Sequence, residues 1–521
     1  MMNPQSPSPA VDPSAAAAEP ADLLDDRPTR LILLAIMVVA MAFSLWYCAS
    51  SPVDPDELEH LHSAWLWQQG VQPYTGFFES HPPLFWVVLR PLFGTVADRD
   101  LVGLVHHARV LTWFISALTL VAGWRLFRAA FGQRAAWCGG ALLAVYLALT
   151  PHALHVRPDM FSLMLLLFGT ALAIEGFGWG CPACCDSQGG QTPSWRRSLL
   201  AGVLIAASVC ALPKTVFWAF AVGAALAVGT IARAIRGDRK LLPPLAMLAG
   251  GAATSAGLQL AWIVLANNMA AFWECNVVAN RHAAISLLKY PLLLGEVTRM
   301  AFSWPMLSAP LGIIGLAGVL ASGGWSGAGR KSIVVLMLLT SMVLVLLGLP
   351  FAQYQLPLHV VLGGLAGAGL SIALRTLSVR VARYALLGLA GVSLLWLALL
   401  LAIPASFGRQ DDTLHAMQAA LDHSTKDDTY VALQHWNPVF MMDTDPTLYA
   451  TYMVRHDRPT FLRLLELIHQ RKPKFVVGFG VPMLEDGRMV PVQLLEAGDA
   501  IFLRSYAPMN PPSPVVLERQ E

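Results

Sequence analysis

Apolar residues fall in eleven long runs between about residue 31 and residue 404, separated by short polar stretches. The runs lie at roughly 31–48, 108–127, 136–151, 160–178, 199–213, 215–232, 243–265, 300–321, 332–349, 356–374 and 384–404. A membrane-spanning helix needs about 20 mostly apolar residues, so each run predicts a span. Runs 136–151 and 199–213 are short, and Lys214 separates the second from its successor. A lysine in mid-bilayer is expensive, which predicts a helix pair turning at the membrane surface there. Before the first run, residues 1–29 form a Pro/Ala/Ser/Asp tail that predicts disorder. Arg27 and Arg30 lead into the first run, which reads as a retained span rather than a removed leader. After the last run, residues 405–521 change character, with 11 Lys+Arg, 15 Asp+Glu and short strand-like runs (430–433, 475–479, 500–503) between helical stretches near 410–422 and 459–470. They predict a small α/β domain. The fold class is therefore an all-α polytopic membrane protein of about eleven spans (30–404) with a C-terminal α/β domain (405–521).

Composition agrees. Of 521 residues, 56 % are hydrophobic and 13 % charged, about half the charge of a soluble domain, and the mean hydropathy is +0.55. This excludes a disordered chain, an ordinary cytosolic enzyme and a nucleic-acid partner. The near balance of 35 Lys+Arg and 33 Asp+Glu conceals a sorting by side. With the N-terminus cytoplasmic, inner loops hold fourteen basic and two acidic residues, and outer loops seven basic and ten acidic. That is the positive-inside pattern. It places the tail domain outside.

The candidate chemistry also lies outside. The first outer loop (49–107) carries Asp54-Pro55-Asp56-Glu57-Leu58-Glu59-His60 and, further on, Phe78-Glu79-Ser80-His81-Pro82-Pro83. Asp54 or Asp56 can cap a helix, with Pro55 in its first turn. Asp56, Glu59, His60 and Ser63 then share one face, while Leu61, Ala64, Trp65 and Trp67 form an apolar side suited to the bilayer interface. Arg157-Pro158-Asp159 occupies the second outer loop. Lys214, Arg281 and Tyr354 map to the same side. Carboxylates for deprotonation and cations for a phosphate leaving group suit transfer of a group from a lipid phosphate. The Cys181/Cys184 pair lacks a second ligand pair, and the histidines of the outer face (His60, His62, His106, His107, His152, His155) are not read as a metal site.

The run Asp56-Glu57, Gly70, Pro73-Tyr74 and Phe78-Glu79-Ser80-His81-Pro82-Pro83-Leu84-Phe85-Trp86 resembles the first outer loop of GT-C glycosyltransferases. The resemblance points to the bacterial branch of the dolichyl-phosphate-mannose–protein mannosyltransferase family, which includes the aminoarabinose transferase. Arg157-Pro158-Asp159, Leu212-Pro213-Lys214 and Tyr354-Gln355-Leu356-Pro357 match further family segments in order. The resemblance implies a polyprenyl-phosphate-sugar donor, inverting transfer of a hexose or pentose without a covalent intermediate, and a glycan, lipid or protein acceptor. The setting it implies is the periplasmic face of a bacterial inner membrane. It implies Asp56 as base, with Asp54 as the competing candidate and Glu57 beside them. Asp159 would orient a substrate, and Lys214 and Arg157 would hold the phosphate. Glu79, His81, Tyr354 and Arg281 are counted with the binding residues. His81 stands where the family often carries a lysine, and Thr215 follows Lys214 where it often carries glycine. The other readings are a lipid-linked sugar transporter or flippase, whose polar residues belong near mid-bilayer, and a non-catalytic binder of polyprenyl phosphate. No cofactor is implied beyond the lipid-linked donor.

Overall fold

The computed structural model describes residues 27–51, 53–150, 153–179, 192–266, 268–278, 308–321, 328–346 and 356–375, parts of 377–395, and, in the tail, 410–432, 439–443 and short pieces between 468 and 519. Ten of the eleven predicted spans coincide with described helices. These are α1 (Arg27–Ser50), α4 (Leu101–Phe131), α5 (Gln133–Leu149), α6 (Pro158–Gly176), α7 (Trp195–Ala211), α8 (Val216–Ile235), α9 (Leu242–Leu265), α11 (Ser308–Ala321), α12 (Ala328–Leu346) and α13 (Leu356–Arg375). Shorter helices are α2 (Pro55–Gln68), α3 (Leu84–Leu89) and α10 (Met269–Trp273). Among the described residues, six helices are long and apolar enough to cross a membrane: α1, α4, α6, α8 with its leading turn, α9 and α13. α5 and α7, at 17 residues each, are shorter than a full crossing.

The bundle is apolar outside and mixed inside. On α4, Val110, Phe114, Leu118 and Val121 recur at helical spacing on the exposed face, while Arg109, Thr112, Ser116 and Thr119 are buried. The buried hydroxyls are satisfied by nearby carbonyls, as Thr112 and Thr119 bond the carbonyls four residues back. α1 packs on α4 and α5, α4 on α6, α6 on α7, α7 on α9, α5 on α13, and α13 on α11. Gly202 of α7 and Gly251 of α9 let their backbones approach so closely that a Cβ at either would overlap a carbonyl oxygen of the other helix. Gly315 of α11 and Gly369 of α13 repeat the arrangement.

The described tail holds α14 (Gln410–Asp422) and a five-stranded mixed sheet in the order β2 (Met442–Asp443), β1 (Thr429–Ala432), β3 (Phe475–Gly478), β7 (Val515–Arg519), β6 (Tyr506–Asn510). β1 runs parallel to β2 and β3; β7 runs antiparallel to β3 and β6. A separate hairpin joins β4 (Gly480–Pro482) to β5 (Met489–Pro491). The tail grips the first loop directly. Tyr430 Oη and the Val439 carbonyl bracket the two ring nitrogens of His62 at 3.0 Å each. Gln418 accepts from the Leu101 amide and donates to the Arg99 carbonyl.

On the apolar side of α2, Leu61 and Ala64 are buried, while Trp65 and Trp67 are half-buried and the tail's Phe440 packs edge-on against Trp65.

Candidate functional site

α2 begins as its sequence dictates. Asp54 is the N-cap, Pro55 fills the first helical position, and Asp54 and Glu57 close a capping box. The Asp54 carboxylate accepts from the Asp56 amide at 2.9 Å, and Glu57 accepts from the Asp54 amide at 2.8 Å. α6 likewise starts on Pro158, with Arg157 as the residue before it and Asp159 in the first turn. α8 follows a 3-10 turn, Pro213–Thr215, that carries Lys214. Three helix starts, distant in sequence, therefore meet at one end of the bundle.

They meet through an unbroken line of charge. Asp56 Oδ2 lies 2.5 Å from Arg157 Nη1, Arg157 Nε lies 3.4 Å from Asp159 Oδ2, and Lys214 Nζ donates to Asp159 Oδ1 at 2.5 Å. Asp54 flanks the line, 3.5 Å from Arg157 and 3.4 Å from His155. Burial alone would favour a neutral Arg157 guanidine, but the carboxylates of Asp56, Asp159 and Asp54 hold it firmly charged. Burial would raise Asp54, yet its hydrogen bond and charge interaction with His155, with Arg157 behind them, hold it well below the usual carboxylate range. Asp56 has the most exposed side chain of the three aspartates, at 30 % against 18 % for Asp54 and 5 % for Asp159.

Beside Lys214 and Asp159 lies a small pocket with a cavity volume of about 20 Å³. Its walls are apolar, with Leu163 and Leu166 of α6, Leu212, Trp218 of α8, and Leu356 and Pro357 of α13. Ser162 and Thr215 also line it and share a hydrogen bond of 2.6 Å. A charged rim above an apolar slot suits a ligand with a phosphate head and a hydrocarbon tail.

Glu57 stands apart from this line. It is fully buried and held by both arms of Arg109, with Nη2–Oε2 2.7 Å and Nε–Oε1 3.1 Å, and by the Val156 amide at 3.0 Å. Arg109 also donates to the carbonyls of Cys48 and Ser51. Burial would raise the Glu57 carboxyl, but Arg109 and then His155 hold it down. Its carboxylate thus accepts from Arg109 of α4, from the Val156 amide of the second outer loop and from the Asp54 amide of its own helix cap, away from the line of Asp56, Arg157, Asp159 and Lys214. Arg109 escaped the sequence reading; its signal was a lone cation at the head of an apolar run.

Glu79 and His81 form a second cluster. Glu79 accepts from Ser63 Oγ at 2.7 Å, from the His81 amide at 3.1 Å and faces His81 Nδ1 at 2.8 Å. Burial would raise the Glu79 carboxyl, but the hydrogen bond and charge of His81 hold it at about 2, and Glu79 raises His81 in return. His60 completes the cluster, its ring edge-on to His81 at 4.8 Å. Burial first, and His81 second, push His60 down to about 4. The outer-face histidines do not act as one set, since His62 turns to the tail and His60 to Glu79 and His81. Tyr354, Arg281 and His152 lie outside the described residues.

No family model matches the chain. No curated protein matches it either. Among solved structures it is similar to ArnT from Cupriavidus metallidurans bound to undecaprenyl phosphate, with a TM-score of 0.59 at 16 % identity over 94 % of this chain and 97 % of that one. The same protein in the apo state gives a TM-score of 0.54 at 15 % identity over the same shares of the two chains. It is also similar to the oligosaccharyltransferase AglB from Archaeoglobus fulgidus in complex with an inhibitory peptide and a dolichol-phosphate, with a TM-score of 0.52 at 11 % identity over 87 % of this chain and 70 % of that one. The chain thus has the GT-C fold that its motifs resemble.

Proposed function

We propose that this protein is a membrane glycosyltransferase that takes a sugar from a polyprenyl-phosphate carrier and passes it, with inversion, to a hydroxyl acceptor on the outer face of a bacterial inner membrane. The observation that carries the reading is the line Asp56–Arg157–Asp159–Lys214 set over an apolar pocket. The lipid-phosphate ligands of ArnT and AglB support it, as each binds a long-chain polyprenyl or dolichyl phosphate.

The chemistry follows from the groups present. The carrier's hydrocarbon enters the slot between α6, α8 and α13, and its phosphate meets Lys214 and Arg157. The acceptor hydroxyl gives its proton to Asp56 and attacks the anomeric carbon from the side opposite the phosphate. The anomeric C–O bond breaks and its electron pair passes to the phosphate oxygen. That oxygen gains charge as the bond breaks, so fixed cations stabilise the transition state more than the ground state. Asp56 is preferred to Asp54 as base because Asp54 is spent on the helix cap and on His155. Incoming phosphate competes for Arg157 and frees Asp56 from it. Asp159 keeps Lys214 and Arg157 aimed at one point.

The test is transfer by purified protein in vesicles, alongside mass spectrometry of envelope lipids and glycans with and without the gene. Asp56→Asn should cut turnover by at least about 100-fold, the usual contribution of a general base, while lipid-phosphate binding persists. Full activity in Asp56→Asn with loss in Asp54→Asn would move the base to Asp54. An envelope unchanged by loss of the gene would remove the transfer reading.

A further inference from the structure

Three donor groups in the first outer loop face one another without belonging to the line of charge. They are His60 from α2 and Glu79 and His81 from the turn before α3; one ligand atom from each lies within 4.8 Å of the others. His60 is 1 % exposed, and its Nδ1 is buried with no hydrogen-bond partner. Buried polar nitrogens are nearly always paired, so one that is not calls for an explanation. The bonds from Ser63 and His81 account for Glu79, and His81 is served by Glu79; neither reaches His60 Nδ1. His60 is set in a dry wall, its ring edge-on to Phe85 at 5.9 Å. Packing explains a buried apolar ring there, but not a ring with an unpartnered nitrogen beside a carboxylate and a second imidazole.

We propose that His60, Glu79 and His81 bind a divalent transition metal ion of the zinc type. Two imidazoles and one carboxylate are the donor set of zinc sites that keep a fourth position open. Magnesium and calcium take oxygen ligands and are poorly served by it. Donors on a tetrahedral zinc at bonds of about 2.1 Å stand about 3.4 Å apart, so on binding the 2.8 Å pair of Glu79 and His81 opens slightly while the wider separations narrow. His81 can make that movement, since 29 % of its side chain is exposed while Glu79 and His60 are walled in. Glu79 then exchanges its hydrogen bond with His81 Nδ1 for the metal and keeps Ser63 as the partner that orients it. The position gives the ion a consequence. His60 interacts electrostatically with Asp56 and Arg157, and His81 with Asp159. Arg157 and Lys214 are matched by aspartates, whereas a divalent ion adds net positive charge beside that line. The proposal does not depend on the transfer reading, because a metal site here would hold whatever the pocket binds.

The experiment uses the full-length protein, purified in detergent without a histidine tag, stripped by chelator and titrated with Zn²⁺, Co²⁺ and Mg²⁺. The expected result is one Zn²⁺ or Co²⁺ per chain, no competing Mg²⁺, a Co²⁺ visible spectrum of low coordination, and X-ray absorption showing two imidazoles. His60→Gln should weaken binding by at least about 100-fold, more than loss of an outer partner costs. His62→Gln, which changes a ring facing Tyr430 and Val439, should leave binding unchanged. The proposal is overturned by a chain that retains no ion, by binding that survives His60→Gln, or by an absorption spectrum with fewer than two imidazoles. The last measurement is made on the unaltered protein, so it decides the matter even where a variant fails to fold.

Discussion

Adjacent residues of one short motif do different work here. Asp54 caps, Asp56 faces Arg157 and the exposed side, and Glu57 points inward to Arg109. Composition and spacing could find the acidic motif, but not divide it. The division follows from the helix: its N-cap and the second and third positions of its first turn point in three directions. Breaking a buried ion pair by removing one partner costs about 3–5 kcal/mol, because the other charge stays buried and unmatched. Glu57→Gln should therefore lower the thermal unfolding temperature in detergent sharply, and Arg109→Ala should do the same without changing the pocket's lining. The pH dependence has a definite sign. Glu57 and Asp54 are held below their ordinary range, so the stability they contribute is present above about pH 4 and lost as pH falls below it. Unfolding midpoints followed from about pH 7 down to about pH 3 should fall steeply at the acid end, and less steeply in Glu57→Gln. A variant with the parent's acid slope would show that Glu57 does not carry this stability. His60 and Arg109 illustrate the limit of reading one sequence, as their partners lie 19 to 61 residues away and only the folded chain brings them together.

At the scale of elements, apolar run length was a reliable guide to where helices lie. Run 136–151 became Gln133–Leu149, and run 356–374 became Leu356–Arg375. The runs could not reveal how the helices pair. That depends on small residues whose spacing is unremarkable in a Gly- and Ala-rich chain. Gly202 and Gly251 are the clearest instance, each lying under a carbonyl of the facing helix. With no difference in hydrophobicity between lipid and leucine to drive helices together, close packing carries the association. Gly251→Ala should push α9 from α7 and destabilise by about 1–3 kcal/mol, the ordinary cost of overpacking. Gly250→Ala, on the open side of the same turn, should be close to neutral. Equal unfolding temperatures for the two variants would show that the α7–α9 contact is not tight. The short α3 was invisible beforehand because six residues carry too little periodicity to distinguish a helix from a loop.

For the whole molecule, charge placement along the sequence anticipated a two-ended bundle. Asp56, Arg157 and Lys214 converge at one end, and Arg125, Glu175 and Arg197 meet at another set of helix ends. The role of the tail was not legible, since nothing in residues 405–521 announces that Tyr430 and Val439 clasp His62 of α2. That clasp gives the tail a grip on the helix that presents Asp56. Tyr430→Phe removes one neutral hydrogen bond worth about 1 kcal/mol. It should speed amide exchange along α2 while leaving exchange in α6 unchanged.

Glu57 has one more consequence, for the order in which the chain takes shape at the ribosome. Its partners come from 52 residues later, at Arg109, and 99 residues later, at Val156. During synthesis the carboxylate must therefore wait, unclasped, until α4 and α5 have both entered the bilayer. Nascent chains arrested while Val156 is still inside the ribosome should leave the acidic loop open to protease, and chains long enough to expose all of α6 should protect it. Fastening of the first loop then needs nothing from the chain beyond the second outer loop.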